Sequence, residues 1–174
     1  NWGCNGGLTA HPYHLDKMDK LGQGPGAVFE LDAPYQEEDT DCTSLPRAFR
    51  LADWEYVAGG RDPWLEGSLP SEQLIKEAIY QYGAVTAGVC AGQEFSNYSG
   101  GVYTADECDY NRHPVTNHQI ILIGWNDANQ TWLLKNSYGT SNWGLQGYMW
   151  IHRNAGRVGE GASWASMAPH APVA

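Results

Sequence analysis

Hydrophobic and polar positions fall into two regimes along the chain. Apolar residues recur at helical spacing in two stretches before Gly83. In the first, His11 to Leu21, Tyr13, Met18 and Leu21 can share a face, and Gly22 and Gly24 stop it. The second follows Leu69-Pro70-Ser71 and carries Leu74, Ile75, Ala78, Ile79 and Tyr82 at i, i+1, i+4, i+5 and i+8, ending at Gly83. Between them, residues 22–69 are rich in Gly, Pro and Asp with few periodic runs, so they read as a long working loop or one stapled by Cys42. After Gly83 the pattern shortens to β-type runs: Ala84–Val89, Gln119–Trp125, Thr131–Lys135 and Gly147–Ile151. Asn126-Asp127-Ala128-Asn129 makes a hairpin turn between the second and third. Helices first and strands afterwards is the order of an α+β protein, not of a doubly wound sheet.

Composition narrows the function classes. With 174 residues, 10 Lys+Arg and 20 Asp+Glu, the net charge is −10, and no Lys/Arg cluster exists to meet a polyphosphate, so nucleic acid is excluded as a partner. Eight Trp and ten Tyr supply enough burial to oppose chain entropy. No run approaches the roughly 20 apolar residues of a membrane-spanning helix, and no membrane partner is expected. Asn1 opens the chain without a start Met or signal peptide, which reads as a piece of something longer. Cys4, Cys42, Cys90 and Cys108 allow three disulfide connectivities, and the count does not choose among them. Two sequons, Asn97-Tyr98-Ser99 and Asn129-Gln130-Thr131, fit a secretory origin, although such triplets also arise by chance.

The chemistry concentrates in the second half. Asn117-His118 opens the run QIILIGW, and after the hairpin comes Trp132-Leu133-Leu134-Lys135-Asn136-Ser137-Tyr138-Gly139-Thr140. Antiparallel pairing would bring His118 and the end of the next strand to one edge of the sheet. An imidazole beside a fixed amide carbonyl suits cysteine nucleophilic catalysis: the carbonyl holds one ring nitrogen, and the other pairs with a thiolate and later protonates the leaving amine.

These motifs, NHQIILIGW and WLLKNSYGTSNWGLQGYMWI, resemble the His and Asn blocks of the papain-like cysteine proteases, cathepsins included, and GCNGG at Gly3–Gly7 resembles that family's glycine-rich substrate-binding motif. The resemblance runs almost the full length and is closest to secreted microbial members. It implies a two-lobe papain-like fold, with residues 1–70 the remainder of a helical left lobe and a long loop, and 71–174 an antiparallel, barrel-like right lobe. It implies His118 as the catalytic imidazole, Asn136 as its orienter, Trp143 packed near that pair on the leaving-group side, and Tyr138 as a shield where the family usually has an indole. Gly6 and Gly7 would face an extended peptide substrate, Gly7 offering its backbone to it. Leu8, Ala87, Asn117, Gln119 and Ser166 would line the pocket for the second residue before the scissile bond, with no acid at its floor. No cofactor or metal is implied.

The nucleophile of that family sits in a CGSCW-type segment behind an oxyanion-hole Gln, upstream of GCNGG, and this sequence contains neither. By resemblance Cys4 and Cys42 are half-cystines tied to that segment, while Cys90 and Cys108 pair with each other; a self-contained Cys4–Cys42 bridge is the alternative. The expectation is therefore the C-terminal part of a cysteine endopeptidase from a secreted or lysosome-like compartment, inactive alone, with an inactive peptide- or glycan-binding homologue as the other reading. Plainer roles suit the remaining candidates: His11 and His14 lack a third metal ligand, and Glu37-Glu38-Asp39 with Asp41 lacks calcium-loop spacing.

Overall fold

The computed structural model describes residues 29, 31–34, 36 and 51–167. The His11–Leu21 stretch, the GCNGG motif and Cys42 lie outside them. The chain divides into two compact units, one of residues 1–54 with 165–174 and one of Glu55–Trp164. In the described part of the first, the amides of Asp32 and Ala33 close a turn on the Phe29 carbonyl.

Among the described residues the sheet has seven strands: β1 (Leu51–Tyr56), β2 (Val85–Val89), β3 (Val102–Tyr103), β4 (His118–Asn126), β5 (Thr131–Lys135), β6 (Tyr148–His152) and β7 (Glu160–Met167). Their order is β1-β7-β2-β4-β5-β6-β3, and among the pairings in the second unit only β3 with β6 is parallel. Helix α1 spans Glu72–Tyr82 and α2 spans Gln93–Ser96. The fold is α+β and papain-like, as the sequence pattern and its resemblance imply.

Local chemistry explains α1. Ser71 is its N-cap, accepting the Leu74 amide, and Gly83 ends it at φ 83°, a left-handed turn that favours glycine. Ile75, Ala78 and Ile79 are buried, whereas Leu74, expected on the same stripe, is 43% exposed. Each buried isoleucine contributes about 1.5–3 kcal/mol. The helix is also tied to the β4–β5 turn: Lys76 reaches Asp127 at 2.6 Å, and Arg153 bonds both Asp127 and Glu72. Lys76 first, then Arg153, holds the Asp127 carboxyl down to about 2.

Three stretches differ from the sequence expectation. Residues 22–69, read as a connection, contain β1 and a 3-10 helix at Pro63–Gly67. The segment from Cys90 to Asn117 contains α2 and β3. The run Glu160–Met167 is a strand although EGASWASM has little β-propensity. Its small residues fit a position covered on both faces: Gly161, Ala162 and Ser163 are all buried. At Gly161, φ is 60° and a Cβ would stand 2.5 Å from the Glu66 carbonyl oxygen, so no larger residue fits.

The crossover between β2 and β4 is fixed twice. Cys90, at the end of β2, is disulfide-bonded to Cys108, 18 residues on. Glu107 accepts the amides of Gly92, Glu94 and Phe95 and the Tyr103 hydroxyl. Burial works against ionisation of Glu107, but the three amides and the phenol outweigh it and hold the carboxyl below the usual glutamate range. The Tyr103 hydroxyl is pushed upward by burial and by the carboxylate it donates to.

Replacing both Cys90 and Cys108 by Ser should cost about 3 kcal/mol of stability, from a loop of this size, in chemical denaturation of the chain. A carboxyl depressed on folding contributes stability that is complete above its unfolded pKa, about 4.3, and lost as pH falls through the folded value. Glu107→Gln should therefore flatten the fall in melting temperature below pH 4.5; an unchanged acid profile would show that other carboxylates govern it.

Candidate active site

Side-chain alternation builds the site. Antiparallel pairing of β2 with β4 sets Val85 opposite Leu122, Ala87 opposite Ile120 and Val89 opposite His118, so His118 ends an apolar row. In β5, Trp132 and Leu134 are buried on the same face, and Leu134 pairs with Leu122. Two residues beyond Leu134, Asn136 continues that face and becomes a diagonal neighbour of His118. Its amide is bound to the Gly147 carbonyl at 2.9 Å, which fixes the chain where the strand ends.

The two side chains meet at 2.8 Å, His118 Nε2 to Asn136 Oδ1. The same oxygen accepts the Ser137 amide at 2.8 Å. That second bond decides the orientation of the amide: its oxygen, not its nitrogen, faces the ring, so Nε2 is the donor. In the neutral ring, Nδ1 is then left as an acceptor. Asn136 is 5% exposed and its Nδ2 has no partner among the described residues. A buried unpaired donor costs about 1–3 kcal/mol, so the amide is poorly placed for stability and well placed for its neighbour.

An aromatic cover surrounds the pair. Tyr138 lies with its ring centroid 5.0 Å from that of His118, and Phe95 meets the imidazole edge-on at 5.6 Å. Trp143 is buried and donates its indole N–H to the Phe95 carbonyl. It contacts Phe95, Tyr98 and Tyr138, and no ring contact joins it directly to the imidazole. Phe95 is the member that sequence reasoning missed; it lies on α2, four residues long, whose Glu107 cap is distant in sequence.

The residues expected around a substrate pocket are placed differently. Ala87 is fully buried on the His118 face, whereas Gln119 is exposed on the opposite face, where it pairs with the buried Gly88. The sheet does not bring these two together. Asn117 turns its side chain onto Ala91, accepting that residue's amide at 2.8 Å and donating to its carbonyl at 3.1 Å. Ser166 is half-buried in β7, and Gly6, Gly7 and Leu8 lie outside the described residues. Beside Asn136, a cavity of about 160 Å³ is lined by Lys135, Ser137, Thr140 and Tyr148 among others. Among the described residues, no group of three potential ligands could hold a metal, and no helix is long and apolar enough to cross a membrane.

Known proteins resemble this chain in sequence and in fold. The papain family cysteine protease profile matches residues 1–168. Cathepsin R of Mus musculus is 32% identical over 157 residues, covering 86% of this chain and 41% of that protein. Cathepsin S of Bos taurus is 32% identical over 161 residues, covering 90% and 43%. Among solved structures, the digestive procathepsin L2 proteinase from Tenebrio molitor larval midgut matches with a TM-score of 0.67 at 28% identity, covering 90% of this chain and 45% of that one. The digestive procathepsin L 3 of the same larval midgut matches in fold, with a TM-score of 0.71 at 24% identity, covering 95% and 50%. The chain thus spans about two fifths of the length of these curated relatives. With the family profile covering nearly every residue, the chain belongs to the papain family of cysteine proteases.

Proposed function

We propose that this chain supplies the general base and its orienting amide to a papain-type cysteine endopeptidase, the thiolate coming from a segment outside these 174 residues. The observation that carries the reading is the 2.8 Å bond from His118 Nε2 to an Asn136 oxygen whose orientation Ser137 fixes. It leaves Nδ1 to pair with a thiol. In the first half-reaction the thiolate adds to the peptide carbonyl, and the imidazolium gives its proton to the departing amine, leaving a thioester. Water then adds to the thioester, the imidazole taking its proton, and the thiolate leaves as the acid product forms.

Cysteine availability supports an external nucleophile. Cys90 and Cys108 are bonded to each other, so neither offers a thiolate; Cys4 and Cys42 are taken as half-cystines facing the segment that carries the nucleophile and the oxyanion Gln. Tyr138 and Phe95 pack against the imidazole and so limit how water reaches the His118–Asn136 bond from their side. Gly6 and Gly7 hold an extended peptide through the backbone, and Trp143 braces the leaving-group side through its contacts with Tyr138 and Phe95. The disulfide suits a secreted or lysosome-like compartment.

The 174-residue chain alone should hydrolyse no dipeptidyl fluorogenic substrate; alkylator-sensitive cleavage by it would make one of its own cysteines the nucleophile. With a CGSCW-bearing segment restored, His118→Ala should lower kcat by about a thousandfold or more. Asn136→Ala should cost less activity. It removes an unpaired buried donor but leaves His118 Nε2–H and the Ser137 amide without their acceptor, so the melting temperature should fall without loss of the fold. If Asn136→Ala unfolds the protein instead, the amide serves stability and its orienting role is refuted. Ser or Gly at the upstream cysteine position would identify a non-catalytic binding homologue.

A further inference from the structure

The segment that leads into His118 is not part of any strand. Residues 115–117 precede β4, and the amides of Val115 and Thr116 have no ladder partner. Thr116 is buried, so an unpaired amide there would cost about 1–3 kcal/mol. Both amides are taken by one side chain. Glu160 Oε1 accepts Val115 N–H at 3.2 Å and Oε2 accepts Thr116 N–H at 2.6 Å.

Glu160 is 1% exposed, at the start of β7. Its charge is met by Arg157, whose Nε donates to Oε1 at 2.9 Å while its Nη2 donates to the Gly67 carbonyl. Arg157 reaches this place from a left-handed conformation at φ 50°, which is costly for a residue with a Cβ. Thr116 is pressed from the other side as well: a Cβ on Gly88 would stand 2.2 Å from Thr116 Oγ1. One residue further on, Asn117 is clamped to Ala91 and its amide donates to the Val89 carbonyl. Position 118 therefore follows three consecutive pinned amides.

A buried ion pair is a poor device for stability, since an apolar replacement of like size is often as good or better. It is a good device for placing two adjacent peptide planes, because each oxygen accepts one amide in a fixed direction. We propose that Glu160 is a positioning residue for His118: by holding the Val115 and Thr116 amides it sets where the chain enters β4, and so aligns the imidazole with Asn136. This rests on the reading of His118 as the general base. The carboxylate touches neither the ring nor a substrate; it acts through the backbone.

The test reads the His118 ring directly in the 174-residue chain. By proton NMR, Nε2–H should be protected from water exchange by its bond to Asn136. Glu160→Gln keeps the shape but offers one acceptor in place of two, and should speed that exchange at least tenfold while leaving the amides of Leu122 and Leu134 unchanged. Glu160→Asp keeps the charge with an arm one methylene shorter, and should act in the same direction by less. If Glu160→Gln does not fold, Glu160→Asp decides. Ring exchange within twofold of the parent in the folded variants would overturn the proposal, as would an acceleration shared equally by Leu122 and Leu134, or failure of both variants to fold. The readout is independent of turnover: a restored protease that proves inactive, with the exchange behaving as expected, would count against the catalytic reading and leave the positioning role standing.

Discussion

Because side chains alternate along a strand, a slip of one residue between β4 and β5 would send His118 and Asn136 to opposite faces of the sheet. Every statement about the site depends on that register. Its apolar half is the buried set Ile120, Leu122, Trp132 and Leu134, with Met149 and Ile151 beside them on β6. Its polar half lies at the turn, where Asp127 is gripped by Lys76 and Arg153. A bulge between Leu122 and Gly124 shifts the pairing near the turn without disturbing the end that carries the imidazole. The same hairpin is thus locked at both ends by different physics, burial at one and ion pairing at the other.

Around the imidazole, several groups are arranged at some expense to stability. Asn136 leaves Nδ2 unpaired in the interior, Arg157 sits in a left-handed conformation, and Glu160 is a carboxylate with no exposure. The first departs from the rule that buried polar groups are satisfied, the second is backbone strain, and the third is a buried charge. Asn136 bonds His118 directly, Glu160 holds the amide of Thr116 two residues before it, and Arg157 is tied in through Glu160. Such departures are tolerated where geometry matters more than stability. They are not confined to this site: Thr131 Oγ1 and Arg153 Nε are also buried without a partner among the described residues, and Gln130 and Gln146 are also left-handed. The apolar core of the second unit is closely packed, with Leu122, Leu134, Met149 and Ile151 fully buried.

Much of this was legible in the sequence. Helix α1 followed from its apolar spacing and its terminal Gly83, and β5 was bounded correctly at Thr131 and Lys135. The juxtaposition of His118 and Asn136 followed from two runs and a turn. Strand β1 was missed: Ala52, Trp54 and Tyr56 alternate with Asp53 and Glu55, but the Gly- and Pro-rich surroundings masked that period of two. Strand β7 was not legible, because small residues chosen for close packing carry no propensity signal. Nor was the cluster around Glu107 and Glu160, whose partners lie 12 to 15 and 44 to 45 residues away; a carboxylate that binds backbone amides leaves no motif. The pocket expectation shows the same limit. Ala87 and Gln119 could be assigned to faces only once the β2–β4 register was known.

The central claim is the hydrogen-bonding state of one ring. Long-range proton–nitrogen correlation spectra of the chain in alkaline solution, with the imidazole neutral, distinguish the two tautomers. The structure predicts the proton of His118 on Nε2, shared with Asn136, and an unprotonated Nδ1. A proton on Nδ1, with Nε2 bare toward the amide, would contradict the arrangement from which the proposed chemistry follows.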